Sequence, residues 1–206
     1  MGEKLEGRKN GKNQASRGFF MRILLHTCCG PCAVFPLDLL KNNQVEIYFY
    51  NPNVYPAEEY KKRKKTVQQV AKKYGWSFSE GKYEPKVWQK AIQGYEHEPE
   101  NSQRCLLCFG LRLQQTAKEA KQKGFAAFAT TLATSAFKDV AAINQLGREI
   151  AKKEGIKYLA FNLSAEERRQ AYYKHKHITK EMNLYHQKYC GCVYSTKNNI
   201  NKKTFL

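Results

Sequence analysis

The stretch Met21-Arg22-Ile23-Leu24-Leu25-His26-Thr27-Cys28-Cys29-Gly30-Pro31-Cys32 decides the reading of the fold. Its first half, Met21–His26, is an apolar run without the polar alternation of a half-exposed strand. That predicts a strand buried on both faces, as in a parallel sheet. A cysteine-rich turn follows, and Ala33–Lys41 has helical spacing, with Pro36 near its first turn. Working outward, Val45–Tyr50 reads as a second strand and Asn51–Pro56 as a loop, because Asn and Pro break both kinds of element. Ala57–Tyr74 reads as a long basic helix stopped by Gly75. A third strand is expected within Trp76–Tyr83 and a short helix over Val87–Gly94. A helix opens at Cys105 and stops at Gly124; Phe125–Thr131 is the fourth strand; Ser135–Glu154 is a helix closed by Gly155. Ile156–Phe161 is the fifth strand and Ala165–Met182 the last helix. Strands alternating with helices of this length imply an α/β fold with a parallel sheet. Ligands of such sheets bind beyond the carboxyl ends of the strands, so the loops Thr27–Cys32 and Thr131–Lys138 are expected on one edge.

The chain has 206 residues, of which 42% are hydrophobic, enough for a real core and against wholesale disorder. Residues 1–20 are polar, Gly- and Lys-rich, and are expected to be a disordered basic extension, leaving 21–206 as a single α/β catalytic domain. No apolar run approaches the ~20 residues of a membrane span, and the first 17 residues lack the apolar centre of a secretory signal. A cytoplasmic protein is therefore expected, where structural disulfides are rare. Lys and Arg number 36 against 18 Asp and Glu, a formal charge of +18. Such a surplus favours nucleic acid, an anionic surface or a phosphorylated ligand as partner.

The seven cysteines fall into three groups: Cys28-Cys29-Gly30-Pro31-Cys32, Cys105-x-x-Cys108 and Cys190-Gly191-Cys192. In the cytoplasm they read as metal ligands or redox thiols. Cys-x-x-Cys lets two thiolates converge on one metal centre, and a helix N-terminus at Cys105, with Arg104 beside it, favours the thiolate form. Two thiolates from the first group and two from the second make the four that a [4Fe–4S] cluster or a four-cysteine zinc site needs; the count does not separate the two metals. Cys190-Gly191-Cys192 suits a readily reduced disulfide, with a further metal half-site as the alternative. Cys29-Gly30-Pro31-Cys32 between strand and helix also has the form of a thioredoxin-like thiol oxidoreductase site. The continuing β/α alternation and the four further cysteines count against it.

The ordered set His26-Thr27-Cys28-Cys29-Gly30-Pro31-Cys32, Tyr50-Asn51-Pro52-Asn53, Cys105-Leu106-Leu107-Cys108 and Tyr189-Cys190-Gly191-Cys192 resembles the QueH-type epoxyqueuosine reductases over roughly Met21 to Tyr194. The resemblance implies a Rossmann-like fold of the nucleotide-hydrolase superfamily that includes tRNA-thiolating enzymes. It implies reduction of epoxyqueuosine to queuosine at the wobble position of tRNAs with a GUN anticodon (Asp, Asn, His and Tyr acceptors), with electrons from an unidentified donor. Matched by position, it places [4Fe–4S] ligation on Cys28, Cys29, Cys105 and Cys108 and a redox-active pair on Cys190 and Cys192. An additional mononuclear metal, iron or zinc, would fall to Cys32. A nucleotide-dependent thiolating enzyme on the same fold would need a Ser-Gly-Gly-like loop after the first strand, which Thr27–Cys32 lacks. A non-enzymatic zinc-binding RNA module is the remaining alternative.

Removing an epoxide oxygen consumes two electrons and two protons, so a redox centre is obligatory and proton donors are needed. His26, Asp38, Tyr50 and Asp139 are the candidates near strand ends, His26 and Asp139 foremost. For His26 the alternative is a core histidine bonded to backbone. The hydroxyls of Thr130–Ser135 suit a ribose or phosphate, or a helix cap at Ser135. Two basic stretches suit tRNA phosphates: Lys61, Lys62, Arg63, Lys64 and Lys65, and Arg168, Arg169, Lys174 and Lys176. Tyr172 and Tyr173, interleaved with the second, suit stacking on a splayed base.

Overall fold

A computed structural model describes residues 21–195; the basic extension expected over residues 1–20 lies outside them. Five parallel strands form one sheet in the order β3-β2-β1-β4-β5. They are β1 (Arg22–His26), β2 (Gln44–Phe49), β3 (Ser77–Glu80), β4 (Ala127–Thr130) and β5 (Lys157–Tyr158). Ile23 to His26 are all buried, as the unalternating run requires, because helices cover both faces of the sheet. The helices are α1 (Gly30–Leu39), α2 (Ala57–Tyr74), α3 (Pro85–Ala91), α4 (Gln103–Gln122), α5 (Val140–Glu154) and α6 (Ala165–Glu181). Helix α1 packs against α2 and α6, and α4 against α5.

The strand order places the site. From β1 the chain runs outward through β2 and β3, then returns through α3 and α4 to β4 on the other side of β1. The reversal falls between β1 and β4, with His26 in register with Thr130. Their carboxyl ends therefore open side by side, the point where parallel α/β sheets bind ligands. The Cys28 backbone N–H donates to Thr131 Oγ1 across this gap (3.3 Å). The two loops thus share one edge, as the alternation predicted.

Local chemistry fixes the elements around that edge. Pro31 sits in the first turn of α1, where its missing N–H costs nothing. At Gly30 a Cβ would lie 2.7 Å from the Thr66 carbonyl oxygen, so only glycine lets α1 start this close to α2. Helix α2 ends at Gly75 and α5 at Gly155, as read from the sequence. Helix α5 begins five residues later than expected: Thr131–Thr134 form a separate 3-10 turn. Its cap is Asp139, whose Oδ1 accepts from the Ala142 N–H at 3.0 Å; Ser135 does not cap it. No helix of the described residues is long and apolar enough to cross a membrane.

Candidate active site

The site is built on the switch point. A cavity of about 940 Å³ opens there, with Cys28 and Cys32 from the first cysteine group and Cys190 from the third on its wall. The Sγ atoms of Cys28, Cys29 and Cys32 lie within 4.8 Å of one another. All seven cysteines carry free thiols; Cys28, Cys32 and Cys190 are half-buried and the other four buried. Hydrogen bonds with Cys29 and Cys32 hold the Cys28 thiol well below its usual range, with help from the Arg112 charge and the Thr131 hydroxyl. The Cys32 thiol is pushed up to about 12, chiefly by its hydrogen bond with Cys28. One thiolate shared among three sulfurs is what a metal-binding trio looks like before the metal displaces the remaining protons.

Helix α4 brings the second group. Cys105, Cys108, Phe109, Arg112, Leu113, Thr116 and Ala117 are all buried, the three- and four-residue spacing of one helix face. Cys105 and Cys108 do not belong to the 4.8 Å trio. The Asn101 N–H donates to Cys105 Sγ at 3.3 Å. Burial nonetheless raises the Cys105 thiol, against the pull of Arg104, and pushes Cys108 up to about 11. The thiolate-favouring effect expected of the helix N-terminus is therefore outweighed by desolvation.

Arg112, which the sequence reading passed over, ties the groups together. Its Nη1 is 4.0 Å from Cys108 Sγ, its Nη2 donates to Asn51 Oδ1 at 2.7 Å and its Nε to His26 Nε2 at 3.3 Å. Asn51 in turn donates to the Thr27 carbonyl at 2.9 Å, just before the first cysteines. The signal was present in the spacing: Arg112 stands four residues after Cys108 and so on the same face.

The third group is held from two sides. Lys138 Nζ donates to Cys190 Sγ at 3.1 Å. Arg63 donates from Nη1 to the Cys190 carbonyl (2.8 Å) and from Nη2 to the Tyr189 carbonyl (3.0 Å). Its Nε pairs with Glu59 Oε1 at 2.8 Å, and Glu59 Oε2 accepts from the Tyr185 hydroxyl at 2.5 Å. Cys192 is buried beside Trp88, Ile92 and Cys108. Gln187 Nε2 reaches Cys32 Sγ at 3.9 Å. The first and third groups, far apart in sequence, thus line one cavity, and the second lies behind its wall, with Cys108 beside Cys192 and Arg112.

Several expected roles are corrected. His26 is fully buried; burial, reinforced by Arg112, pushes it down to about 3. His26 Nδ1 lies 2.8 Å from Thr130 Oγ1, and Nε2 lies 3.2 Å from the Tyr50 carbonyl and 3.3 Å from Arg112 Nε, so both ring nitrogens have partners within the core. His26 is thus a core histidine bonded to Thr130, the Tyr50 backbone and Arg112, the alternative reading of this residue. Asp139 caps α5 from an exposed position and does not line the cavity. Asp38 is exposed and pairs with Lys41, and Tyr50 is buried against Tyr48. Arg63 is 1% exposed, so it leaves the basic surface that Lys61, Lys62 and Lys65 form. Lys64 pairs with Glu80 at 3.0 Å. Arg168 is half-buried and donates to the carbonyls of Ser135 and Leu163 (3.2 and 2.5 Å). Arg169, Lys174 and Lys176 are exposed.

A metal–thiolate group fits what is present. Arg112 is a buried cation and Lys138 a half-buried one, and no carboxylate is among their hydrogen-bond or ion-pair partners in the described residues. Beside Cys105, Arg104 keeps Nε and Nη2 buried and without a hydrogen-bond partner. Buried charge of this kind requires anionic compensation, which a cluster of deprotonated cysteines supplies.

Residues 23–198 match the family described as Epoxyqueuosine reductase QueH. The chain belongs to that family. An Epoxyqueuosine reductase QueH of Haemophilus influenzae is 37% identical over 180 residues, covering 86% of this chain and 72% of that one. That of Thermotoga maritima is 35% identical over 176 residues, covering 84% and 89%. Among solved structures, a predicted subunit of tRNA methyltransferase from Methanocaldococcus jannaschii superposes with a TM-score of 0.54 at 15% identity, covering 83% of this chain and 94% of that one. The U34-tRNA thiolase NcsA from Methanococcus maripaludis, with its [4Fe–4S] cluster, superposes with a TM-score of 0.50 at 9% identity, covering 90% and 65%. These two likenesses establish the Rossmann-like fold alone. In this chain, Arg112, Lys138 and Arg63 are the site residues that sequence reasoning missed or misplaced. Lys138 meets Cys190 across 52 residues of chain, a contact no local pattern foretells.

Proposed function

We propose that this chain is an epoxyqueuosine reductase that removes the epoxide oxygen of epoxyqueuosine in tRNA, taking up two electrons and two protons and leaving an alkene and water. The single observation that carries the reading is the convergence of the cysteine groups at the strand switch point, the first and third on one cavity wall and the second packed behind it. Cys28, Cys29, Cys105 and Cys108 would hold a [4Fe–4S] cluster, and Cys32, beside the first two, a further iron or zinc. When bound, such a group supplies one-electron transfer and, where a metal keeps an open position, a Lewis acid for the epoxide oxygen.

The chain's own residues do the rest. Cys190 and Cys192 are the two-electron pair, Cys190 on the cavity wall and Cys192 packed behind it. With Asp139 outside, Lys138, which holds Cys190, is the lysine on the wall nearest the reactive thiol, and Arg112 lines the same space. Both are preorganised to stabilise negative charge growing on the departing oxygen. The exposed lysines and arginines fit the phosphates of an anticodon arm, and the GUN-anticodon tRNAs are the substrates we assign. The electron donor is an external reductant.

The test uses protein purified without oxygen, assayed for iron and sulfide, and given epoxyqueuosine tRNA with a chemical reductant. Mass spectrometry of the digested tRNA is expected to show the modified nucleoside losing one oxygen. A cluster-loaded protein without that conversion, or a colourless protein that retains only zinc, overturns the reading. The double variant Cys190→Ser with Cys192→Ser is expected to keep its iron and lose turnover; full activity would remove the pair from the mechanism.

A further inference from the structure

Next to the cavity lies a feature that the reduction chemistry does not use. Phe137, Tyr172 and Tyr173 are 71%, 44% and 62% exposed and stand together at the surface. Phe137 meets Tyr172 edge-on at 5.3 Å between ring centroids, and Tyr172 meets Tyr173 edge-on at 5.4 Å. Isolated exposed aromatics are ordinary; three in contact form a surface that costs solubility unless something covers it. Phe137 and Tyr172 line the main cavity on one side and a second hollow of about 250 Å³ on the other. Ala136, Ala165, Glu166, Arg169 and Tyr173 complete that hollow. It is smaller than the roughly 300–1,000 Å³ of sites for drug-sized ligands, so it suits one ring system.

We propose that Phe137, Tyr172 and Tyr173 form a stacking subsite for a single unpaired nucleobase, the chain neighbour of the nucleoside whose reacting ring enters the cavity. The proposal rests on the tRNA reading above and adds where the substrate's next base goes. Three observations favour a nucleotide over a protein side chain as occupant. Exposed Arg169, Lys174 and Lys176 stand on the same helix as the two tyrosines, so the rings are flanked by phosphate-binding charge. Among the described residues Arg169 is held by an exposed pair with Glu166 (2.7 Å), which a phosphate or base edge displaces at little cost. Phe137 is also the residue before Lys138, whose ammonium holds the cavity-facing Cys190, so the stacking wall and the reactive thiol are set by one short loop. A flat aromatic face accepts any base, and single-stranded nucleic acid is held this way in many unrelated folds.

The test binds an anticodon stem-loop carrying 2-aminopurine either 5′ or 3′ of the wobble nucleotide, since stacking on an aromatic ring quenches its fluorescence. Wild-type protein is expected to quench the probe at one of the two positions. Phe137→Ala is expected to abolish the quench and weaken binding by about tenfold. Phe137→Trp should restore both, and Phe137→Leu, apolar but not aromatic, should restore neither. At 71% exposure, Phe137 can be replaced without disturbing the core. Binding without a quench at either position, or a quench unchanged in Phe137→Ala, overturns the stacking subsite and leaves the reductase reading standing. A wild-type protein that does not bind the stem-loop at all overturns both.

Discussion

The turn that carries Cys190 and Cys192 rests on one residue that has no side chain. Gly191 has φ +133°, and a Cβ there would lie 2.9 Å from Arg63 Nη1, 3.2 Å from Val54 Cγ2 and 3.3 Å from Asn53 Nδ2. The same glycine's carbonyl accepts from the Tyr55 N–H at 2.8 Å, so the turn cannot simply move away. Gly191→Ala is therefore expected to dislodge Cys190 from Lys138 and reduce turnover at least tenfold while iron content stays at the wild-type level; metal analysis beside the tRNA assay checks this. Arg63 presents a harder case. Its removal would leave Glu59 charged and buried and two carbonyls without donors. Truncating one partner of a buried ion pair costs about 3–5 kcal/mol. Arg63→Met is expected to lose about that much in denaturant unfolding, and the double variant with Glu59→Gln to recover part of it by removing the stranded charge. If Arg63→Met proves as stable as a surface lysine variant, the clamp described here is not holding the segment.

At the scale of elements, strands and helices were legible wherever hydrophobic period and a stop signal agreed. Helix α2 runs from Ala57 to Tyr74 as its basic, amphipathic pattern and Gly75 predict. The start of α5 was not legible, because Thr131–Thr134 is too short for its period to tell a 3-10 turn from a first helical turn. Strand β5 is shorter than its apolar run, Ile156–Phe161, since it pairs only with β4 and at the edge of the sheet. The candidate site divides in the same way. The cysteines announced themselves by clustering, but Arg63 hid among lysines although it shares a buried helix face with Glu59, Tyr60, Thr66 and Val67. For Asp139 the sequence shows proximity to a strand end and not direction; the side chain is spent on the helix. This distinction is measurable. Asp139→Ala is expected to cost about 1 kcal/mol, the worth of an N-cap, seen as a fall of roughly 2–4 °C in Tm. Asp139→Asn should keep the cap, and neither should shift the pH profile of turnover. A profile that moved in Asp139→Asn would return the residue to the chemistry.

For the whole molecule, the question is what a formal charge of +18 does. Part of it faces inward: Arg63 and Arg112 are buried as side chains of the site, and Arg104 is buried beside Cys105. Arg63 answers to Glu59 and Arg112 to the Cys28 thiol, so these charges are spent first on the site. The remainder lies outside, with Lys61, Lys62 and Lys65 on α2 and Arg169, Lys174 and Lys176 on α6 exposed to solvent. Helix α1 packs against both α2 and α6, so the two basic faces belong to the same side of the sheet. A tRNA held there would release counterions for each phosphate contacted, and its affinity would fall steeply with salt. Replacing Lys61, Lys62 and Lys65 together by Gln removes exposed charge without touching the cavity. The expected result is a slope of log affinity against log salt concentration that is shallower by about two to three, one for each lost phosphate contact. Conversion at saturating tRNA should be unchanged, because Cys28, Cys190 and Lys138 stay in place. A slope equal to the wild-type value would mean that α2 is only a solvated face and that tRNA approaches over α6 alone.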